Sequence, residues 1–227
     1  MPAVLLTGAN RGLGLGLAQA FAGDGWEVIA LVRTSSPALE ALAADGVDIH
    51  LLDLGDDREL SALSARLAGR PLDLLINNAG RMAESKHQGL GSFDRAVWHD
   101  VFDINLFTPM RLAELLLPNL ERAERPRIVT LSSTLGSMQL NEHGGLYAYR
   151  ASKAGVNAIT KSLALDLRDR GIIVVALNPG WVRTDMGGPD AELEVETSVR
   201  GMQRVIEGLR PADSGKFLSW DGRELPW

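Results

Sequence analysis

Tyr149 and Lys153 are the residues whose types and spacing first indicate chemistry. Residues four apart on a helix lie on one face, so the Lys153 ammonium would lie near the Tyr149 phenol. A free tyrosine titrates near pH ~10 and a neighbouring cation favours the phenolate, which predicts a lowered pKa for Tyr149 and a phenol that can serve as acid or base. The same spacing also occurs where a lysine stem merely packs beside a ring, so the pair alone leaves both interpretations open.

The elements that must position this pair alternate between short apolar runs and helical segments. The apolar runs predict buried strands, and their alternation with helices predicts parallel strands joined by crossover helices. We therefore expect an α/β fold: a single doubly wound (Rossmann) domain over residues 1–227, with a mostly parallel seven-stranded sheet and helices on both faces. The expected strands are residues 3–7, 26–32, 47–52, 72–76, 127–131, 172–177 and 216–219, and the expected helices are about residues 15–22, 36–44, 56–69, 102–120, 147–168 and 194–208.

The composition excludes several classes of function. A net charge of -6 and a pI near 5.3 argue against a nucleic-acid groove or an anionic membrane surface as the main partner. The absence of cysteine excludes disulfides, thiolate catalysis and cysteine metal sites. No apolar run reaches the roughly 18 residues of a membrane span, and the first residues do not resemble a signal peptide, so we expect a cytoplasmic protein. Because the four histidines, His50, His87, His99 and His143, are scattered, we expect no catalytic metal.

Three glycines follow the first expected strand, where the chain turns into a helix. Gly8, Gly12 and Gly14 permit positive φ and let backbone amides approach a pyrophosphate at the helix N-terminus. The G-x-G-x-x-G fingerprint is not met, because counting from Gly12 its third position is Leu17. A plain strand-to-helix turn would use the same residues, but the position after the first strand of an alternating pattern favours a dinucleotide site.

Five motifs in order resemble those of the short-chain dehydrogenase/reductase family. The glycine turn, residues 7–14, resembles its T-G-x-x-x-G-x-G, and residues 77–80 resemble its N-N-A-G. Ser133, Tyr149-x-x-x-Lys153 and the Asn-Pro-Gly of residues 178–180 continue the resemblance over nearly the whole chain. Residues 131–137, 147–153, 179–188 and the tail 221–227 are similar to the carbonyl-reductase branch of the family, which includes the sniffer and C-factor-like proteins.

The expected cofactor is NADPH/NADP. After the second strand of such folds a carboxylate would bond the adenine ribose of NAD, whereas arginine accommodates the 2′-phosphate of NADP, and this chain has Arg33 there and Arg11 in the glycine turn. Arg33 could instead be a solvated loop charge, and Asp53 could be an adenine contact or a loop-capping acid. The resemblance implies that the cofactor contacts are Gly8, Asn10, Arg11, Gly12, Leu13, Gly14, Arg33, Asp53, Leu54, Asn78, Ala79, Gly80, Tyr149, Lys153, Pro179, Gly180, Val182 and Thr184.

The expected catalytic residues are Asn105, Ser133, Tyr149 and Lys153. Hydride addition to a carbonyl leaves negative charge on oxygen, so Tyr149 would be the general acid and Ser133 a second donor to that oxygen. The resemblance implies that Lys153 also holds the nicotinamide ribose and that Asn105 links Lys153 to solvent through water. Ser132 and Tyr147 compete with Ser133 and Tyr149, but Ser133 fits the family's S-x-x-G and Tyr147 has no lysine four residues on.

The expected substrate is a small, moderately apolar ketone or aldehyde, which makes the chain an NADPH-dependent carbonyl reductase. The expected lining is Met82, Leu135, Met138, Leu140, Tyr147, Trp181 and Met186. The short chain after Thr184 argues against bulky, fully enclosed substrates. The alternative is a dinucleotide-binding signalling or regulatory protein of the C-factor type with little turnover, and enoyl reduction is disfavoured by the Tyr-to-Lys spacing.

Two apolar helices also predict association. Residues 102–120 and 147–168 carry apolar side chains on nearly all sides, more than one sheet can cover. We therefore expect a homodimer or homotetramer in which these helices form a two-fold contact.

Overall fold

All seven strands lie in one parallel sheet in the order β3-β2-β1-β4-β5-β6-β7 in this computed structural model, which describes residues 1–227 apart from the Ser85 side chain. Every neighbouring pair of strands is parallel. The order reverses between β1 and β4, and in open sheets this switch point is where ligands bind, outside the carboxyl ends of the strands. The strands are β1 Ala3–Thr7, β2 Glu27–Val32, β3 Asp48–Leu51, β4 Leu74–Asn77, β5 Arg127–Leu131, β6 Ile173–Asn178 and β7 Phe217–Ser219.

Helices cover both faces of the sheet. Successive side chains of a strand point to opposite faces, and in β1 Val4 and Leu6 belong to one hydrophobic core while Leu5 belongs to a second. The first core includes residues of α1, α2 and α8, and the second includes residues of α3, α5 and α7. The helices are α1 Gly12–Gly23, α2 Pro37–Ala43, α3 Asp57–Arg66, α4 Arg95–Phe102, α5 Thr108–Leu115, α6 Leu117–Leu120, α7 Tyr147–Asp166 and α8 Val195–Gly208. The expected doubly wound α/β fold is confirmed.

The continuous helix expected over residues 102–120 is wrong. The chain instead passes from α4 through a π-helical segment, Asp103–Phe107, into α5 and α6. Pro109 lacks an N–H, so it cannot donate to the carbonyl of Asn105 four residues earlier. The Thr108 N–H donates to the carbonyl of Asp103 five residues back, which is the hydrogen bond of a π-helix. The Phe107 side chain is 49% exposed in the single chain.

The helix that follows the first strand begins earlier than expected, inside the glycine turn. α1 begins at Gly12 rather than Leu15, so Gly12 and Gly14 lie inside the first helical turn. Glycine's poor helix propensity favours the later start, but tertiary packing of the turn overrides that preference. Among the helices that the structure describes, none combines the length and apolarity of a membrane span.

Candidate active site

The glycine turn and the segment after β4 are built against each other at the switch point. Gly8 has φ +72°, and a Cβ on Gly14 would lie 2.0 Å from the Gly8 carbonyl oxygen, so no larger side chain fits at position 14. Asn78 Nδ2 donates to the Thr7 carbonyl at 2.8 Å and to that of Gly8 at 3.2 Å. Thr7 Oγ1 accepts from the backbone amides of Asn78 and Ala79 at 3.0 and 2.9 Å. Two of the expected motifs therefore form one structure.

The N-terminus of α1 suits an anionic group. The next helices carry side-chain caps, since Ser36, Asp56 and Asp94 accept hydrogen bonds from the first amides of α2, α3 and α4. Arg11, at the N-cap of α1, makes no such bond, and the first turn of α1 has no acidic residue. Exposed amides and the positive end of the helix dipole favour a phosphate here. The turn therefore fits the pyrophosphate of a dinucleotide.

The loop after β2 is hydrogen-bonded to the glycine turn. Asn10 Nδ2 donates to the Thr34 carbonyl at 3.0 Å, and Ser36 Oγ donates to the Asn10 carbonyl at 2.7 Å. Arg33 is exposed. Among the described side chains no carboxylate pairs with the Arg33 guanidinium, and the buried Ser35 hydroxyl has no partner. An exposed cation without a carboxylate partner fits a phosphate ligand.

Arg11 and Asp53 are occupied with protein groups. Arg11 forms an exposed ion pair with Asp185, in the segment after β6. Asp53 Oδ1 accepts from the Gly55 amide at 3.0 Å, which agrees with its interpretation as a loop-capping acid, while its neighbour Leu54 is buried. Both residues still lie at the edge of the cleft, so each would have to exchange or share these partners to contact a cofactor.

Tyr149 and Lys153 lie on the buried face of the first turns of α7. Burial raises the pKa of Tyr149 to about 12, and a hydrogen bond with the Ser133 side chain opposes that rise. Burial lowers the pKa of Lys153 to about 8. The predicted lowering of the Tyr149 pKa by Lys153 is therefore wrong in this structure. The reason is geometric: Lys153 Nζ donates to the Leu131 carbonyl at 2.6 Å and lies 5.7 Å from the Tyr149 ring centroid.

The structure separates the catalytic candidates from their competitors. Ser132 Oγ donates to Asn157 Oδ1 at 2.6 Å in a buried bond, whereas Ser133 contacts Tyr149. Tyr147 is 42% exposed and Tyr149 only 7%. Ser133 and Tyr149 are thus the serine and tyrosine that face each other at the cleft.

Asn105 lies in the π-helical segment and is fully buried beside Lys153. Its Oδ1 accepts from the Arg81 amide at 2.7 Å, and its Nδ2 donates to the Arg81 carbonyl at 2.8 Å and to Ser152 Oγ at 3.0 Å. A Cβ on Gly80 would lie 3.6 Å from Asn105 Oδ1 and 3.7 Å from Lys153 Nζ, so these groups surround one point. The water link expected for Asn105 stays a prediction.

Ser152 and Asn157 are supporting residues that the sequence reasoning missed. Ser152 Oγ accepts from Asn105 and donates to the Tyr149 carbonyl at 2.8 Å. Asn157 Oδ1 accepts the hydrogen bond of Ser132 Oγ. Both are polar residues on the buried face of α7, one position before and four after Lys153. That periodicity was the signal that could have identified them.

The segment after β6 lies across the glycine turn. Val182, buried, bridges Leu193 in a parallel pair, and the Thr184 methyl lies 3.3 Å from where a Gly12 Cβ would be. Pro179 and Gly180 begin this segment, and the Pro179 carbonyl accepts from Ser198 of α8 at 2.6 Å. Thr184 thus lies against the glycine turn, Val182 lies two residues before it in the same segment, and Leu13 lies within α1.

The expected substrate residues follow the carboxyl ends of β4, β5 and β6 and are mostly exposed, so they would line an open mouth of the cleft rather than an enclosed cavity. Met138 is 76% exposed, and Leu140, Tyr147, Trp181 and Met186 are also exposed, while Leu135 and Met82 are half-buried. Trp181 Nε1 donates to the Gly187 carbonyl at 2.8 Å, a hydrogen bond within the segment after β6. The lining is apolar as expected.

Comparison with known proteins agrees with this architecture. A sequence profile described as short chain dehydrogenase matches residues 2–194. C-signal of Myxococcus xanthus is 44% identical over 168 residues, which cover 74% of this chain and 100% of that protein. Carbonyl reductase Sniffer of D. melanogaster has a TM-score of 0.94 and 36% identity over 100% of both chains. NADPH-bound carbonyl reductase from chicken fatty liver has a TM-score of 0.92 and 36% identity, covering 100% of this chain and 99% of that one.

Proposed function

The chain belongs to the short-chain dehydrogenase family, and from that premise we propose that it is an NADPH-dependent reductase of ketone or aldehyde carbonyls. The observation that carries the proposal is that the half-buried Ser133 side chain lies close enough to the buried Tyr149 hydroxyl to oppose the rise of its pKa. These are two hydroxyls in one place, on α7 and after β5, where a carbonyl oxygen could accept from both.

The proposed roles follow from the contacts of each residue. When bound, the reduced nicotinamide supplies hydride to the carbonyl carbon. Ser133 donates a hydrogen bond to the carbonyl oxygen, and Tyr149 gives it a proton. Burial raises the pKa of Tyr149 to about 12, so Tyr149 stays protonated at neutral pH and holds the proton that the reductive direction requires. Lys153 donates one hydrogen bond to the Leu131 carbonyl, which leaves two of its three donors for other groups.

NADPH is the proposed cofactor rather than NADH. Arg33 follows β2 with no carboxylate partner among the described side chains, and the unsatisfied Ser35 hydroxyl lies two residues on. The NADPH-bound chicken carbonyl reductase, similar over the whole chain, supports the same choice. A 2′-phosphate would pair with the exposed Arg33 guanidinium.

Replacement of Tyr149 by phenylalanine tests the mechanism. General acid catalysis contributes about 10²–10⁴-fold, so Tyr149→Phe should lower kcat by that factor while NADPH still binds. The matched control is Tyr147→Phe, because Tyr147 is the other tyrosine of the chain and lies on the exposed side of α7. Phenylalanine keeps the apolar ring of Tyr147 in the expected substrate lining and removes only a hydroxyl. We expect the control to keep kcat within a few-fold. Turnover is measured as the loss of NADPH absorbance with a panel of ketones and aldehydes. Equal turnover by the native protein and by Tyr149→Phe would reject the mechanism.

A second candidate is a dinucleotide-binding signalling protein with little turnover. The 44% identity to a protein named C-signal favours it. A protein of this kind needs the glycine turn but not the hydroxyl of Tyr149. If the native protein binds NADPH and reduces no carbonyl in the panel, this candidate replaces the first.

We also propose that the chain forms a homodimer through the π-helical segment and α7. Phe107 and Leu165 are exposed apolar side chains on these elements. Burying them would remove apolar surface from water. The single domain over residues 1–227 and the cytoplasmic location stay predictions.

A further inference from the structure

The tail that follows β7 folds back along that strand. The Ser219 amide donates to the Arg223 carbonyl at 2.8 Å, and the Leu225 amide donates to the Phe217 carbonyl at 2.7 Å. An antiparallel bridge joins Leu218 to Glu224. The chain therefore makes a tight hairpin at the sheet edge, which brings residues 225–227 beside the first residue of β7.

Trp227 connects this tail to the loop after Ser133. Its ring stacks on Phe217 with centroids 5.7 Å apart and planes at 20°. Its main-chain oxygen accepts from Ser137 Oγ at 3.1 Å and from the Gln139 amide at 3.2 Å. Ser137, only 1% exposed, also accepts from the Leu140 amide at 3.2 Å. One buried hydroxyl thus joins the tail to the far end of the loop.

Residues 137–140, which we call the mouth loop, have few other supports. Their remaining hydrogen bonds are local turns, such as the Asn141 amide to the Met138 carbonyl at 3.3 Å. Within the part of the chain that the structure describes, their long-range hydrogen bonds all go to Trp227. A loop with so few anchors takes its position from them.

The mouth loop carries two of the apolar residues at the mouth of the cleft. It starts four residues after Ser133, and Met138 and Leu140 project from it as exposed side chains. A carbonyl oxygen held by Ser133 and Tyr149 would leave a longer substituent to extend over this loop. The loop's position therefore decides how well an apolar substituent is covered.

We propose that Trp227 and Ser137 are positioning residues that set the preference of this enzyme for long apolar substituents by holding the mouth loop in place. The inference rests on the proposed carbonyl reduction. The contacts of Trp227 are with Phe217 and the mouth loop, so we expect its effect on KM for substrates that reach the loop. We expect Trp227 to affect neither KM for short substrates nor kcat.

The test compares 2-octanone with acetone in Trp227→Ala. We expect KM for 2-octanone to rise roughly five-fold, equivalent to about 1 kcal/mol, with kcat, NADPH affinity and KM for acetone unchanged. Trp227→Phe, which keeps an aromatic ring on Phe217, should restore the native KM. Trp26→Ala, which breaks another aromatic pair at the amino end of β2, is the matched control for a general loss of stability. It should lower thermal stability without separating the two ketones.

Ser137→Ala tests whether both residues act by one route. Because they hold the same loop, the double variant should raise KM for 2-octanone no more than the stronger single variant. In the absence of ligands, deuterium exchange at the Gln139 and Leu140 amides should rise in both single variants. Unchanged exchange, or an equal rise of KM for both ketones, would overturn the inference. If the native protein reduces neither ketone nor any other carbonyl of the panel, the proposed function itself has failed, a result distinct from native turnover with an unaltered KM ratio.

Discussion

The contact between Gly14 and Gly8 allows a sharp test of the cofactor site. A Cβ added at position 14 would lie 2.0 Å from the Gly8 carbonyl oxygen and 2.7 Å from its carbon, and real Cβ atoms essentially never come within 3.0 Å. Both atoms are backbone, so no rotamer change relieves the overlap, and the turn must move by about 1 Å. We expect Gly14→Ala to cost about 3 kcal/mol of the free energy of unfolding, which lowers Tm by about 6–12 °C in a chain of this size.

The same movement displaces the amides that would bind the pyrophosphate. Losing one charge-assisted hydrogen bond costs about 1.5–3 kcal/mol, so NADPH affinity should fall at least about ten-fold. Titration of tryptophan fluorescence with NADPH measures the affinity, and circular dichroism on heating measures Tm.

Gly23 provides the matched control on the same helix. A Cβ there meets nothing within 4 Å, and its φ is not in the left-handed region. Gly23→Ala should therefore keep native affinity and gain about 0.4–1 kcal/mol. If Gly14→Ala binds NADPH as tightly as Gly23→Ala does, the close approach of Gly14 to Gly8 is not a requirement of the cofactor site.

Three further expectations follow from the site. Arg33→Asp should weaken NADPH binding far more than NADH binding in parallel titrations, because the new carboxylate repels a 2′-phosphate, and equal losses would remove the NADPH assignment. Burial lowers the pKa of Lys153 to about 8, so between about pH 8 and 10 the unfolded chain binds more protons, and stability should rise with pH. Above about pH 10 the raised pKa of Tyr149 has the opposite effect, so stability should fall with pH. In thermal unfolding scans Lys153→Met should abolish the rise between about pH 8 and 10 and keep the fall above it. Phe107→Glu should convert a native dimer to monomer in light scattering, whereas a monomeric native protein would contradict the proposed association.

The sequence by itself determined the fold class and the placement of Tyr149 and Lys153 on one face of a helix. Strand and helix periodicities are local, so the alternation of apolar runs was enough to predict a parallel sheet. The spacing of Tyr149 and Lys153 is also local, since a helix places residues four apart on one face whatever surrounds it. The glycines and the N-N-A-G residues could be matched to their motifs because both are contiguous in the chain.

Tertiary structure alone decided the electrostatics and the partners. Burial raises the Tyr149 pKa, although its neighbouring cation suggested a fall, because desolvation depends on the whole fold and the Lys153 ammonium is held at the Leu131 carbonyl. The pairing of Arg11 with Asp185 joins residues 174 positions apart. Likewise Trp227 reaches Ser137 across 90 positions. Contacts between distant segments depend on how the layers pack, and no local pattern records that.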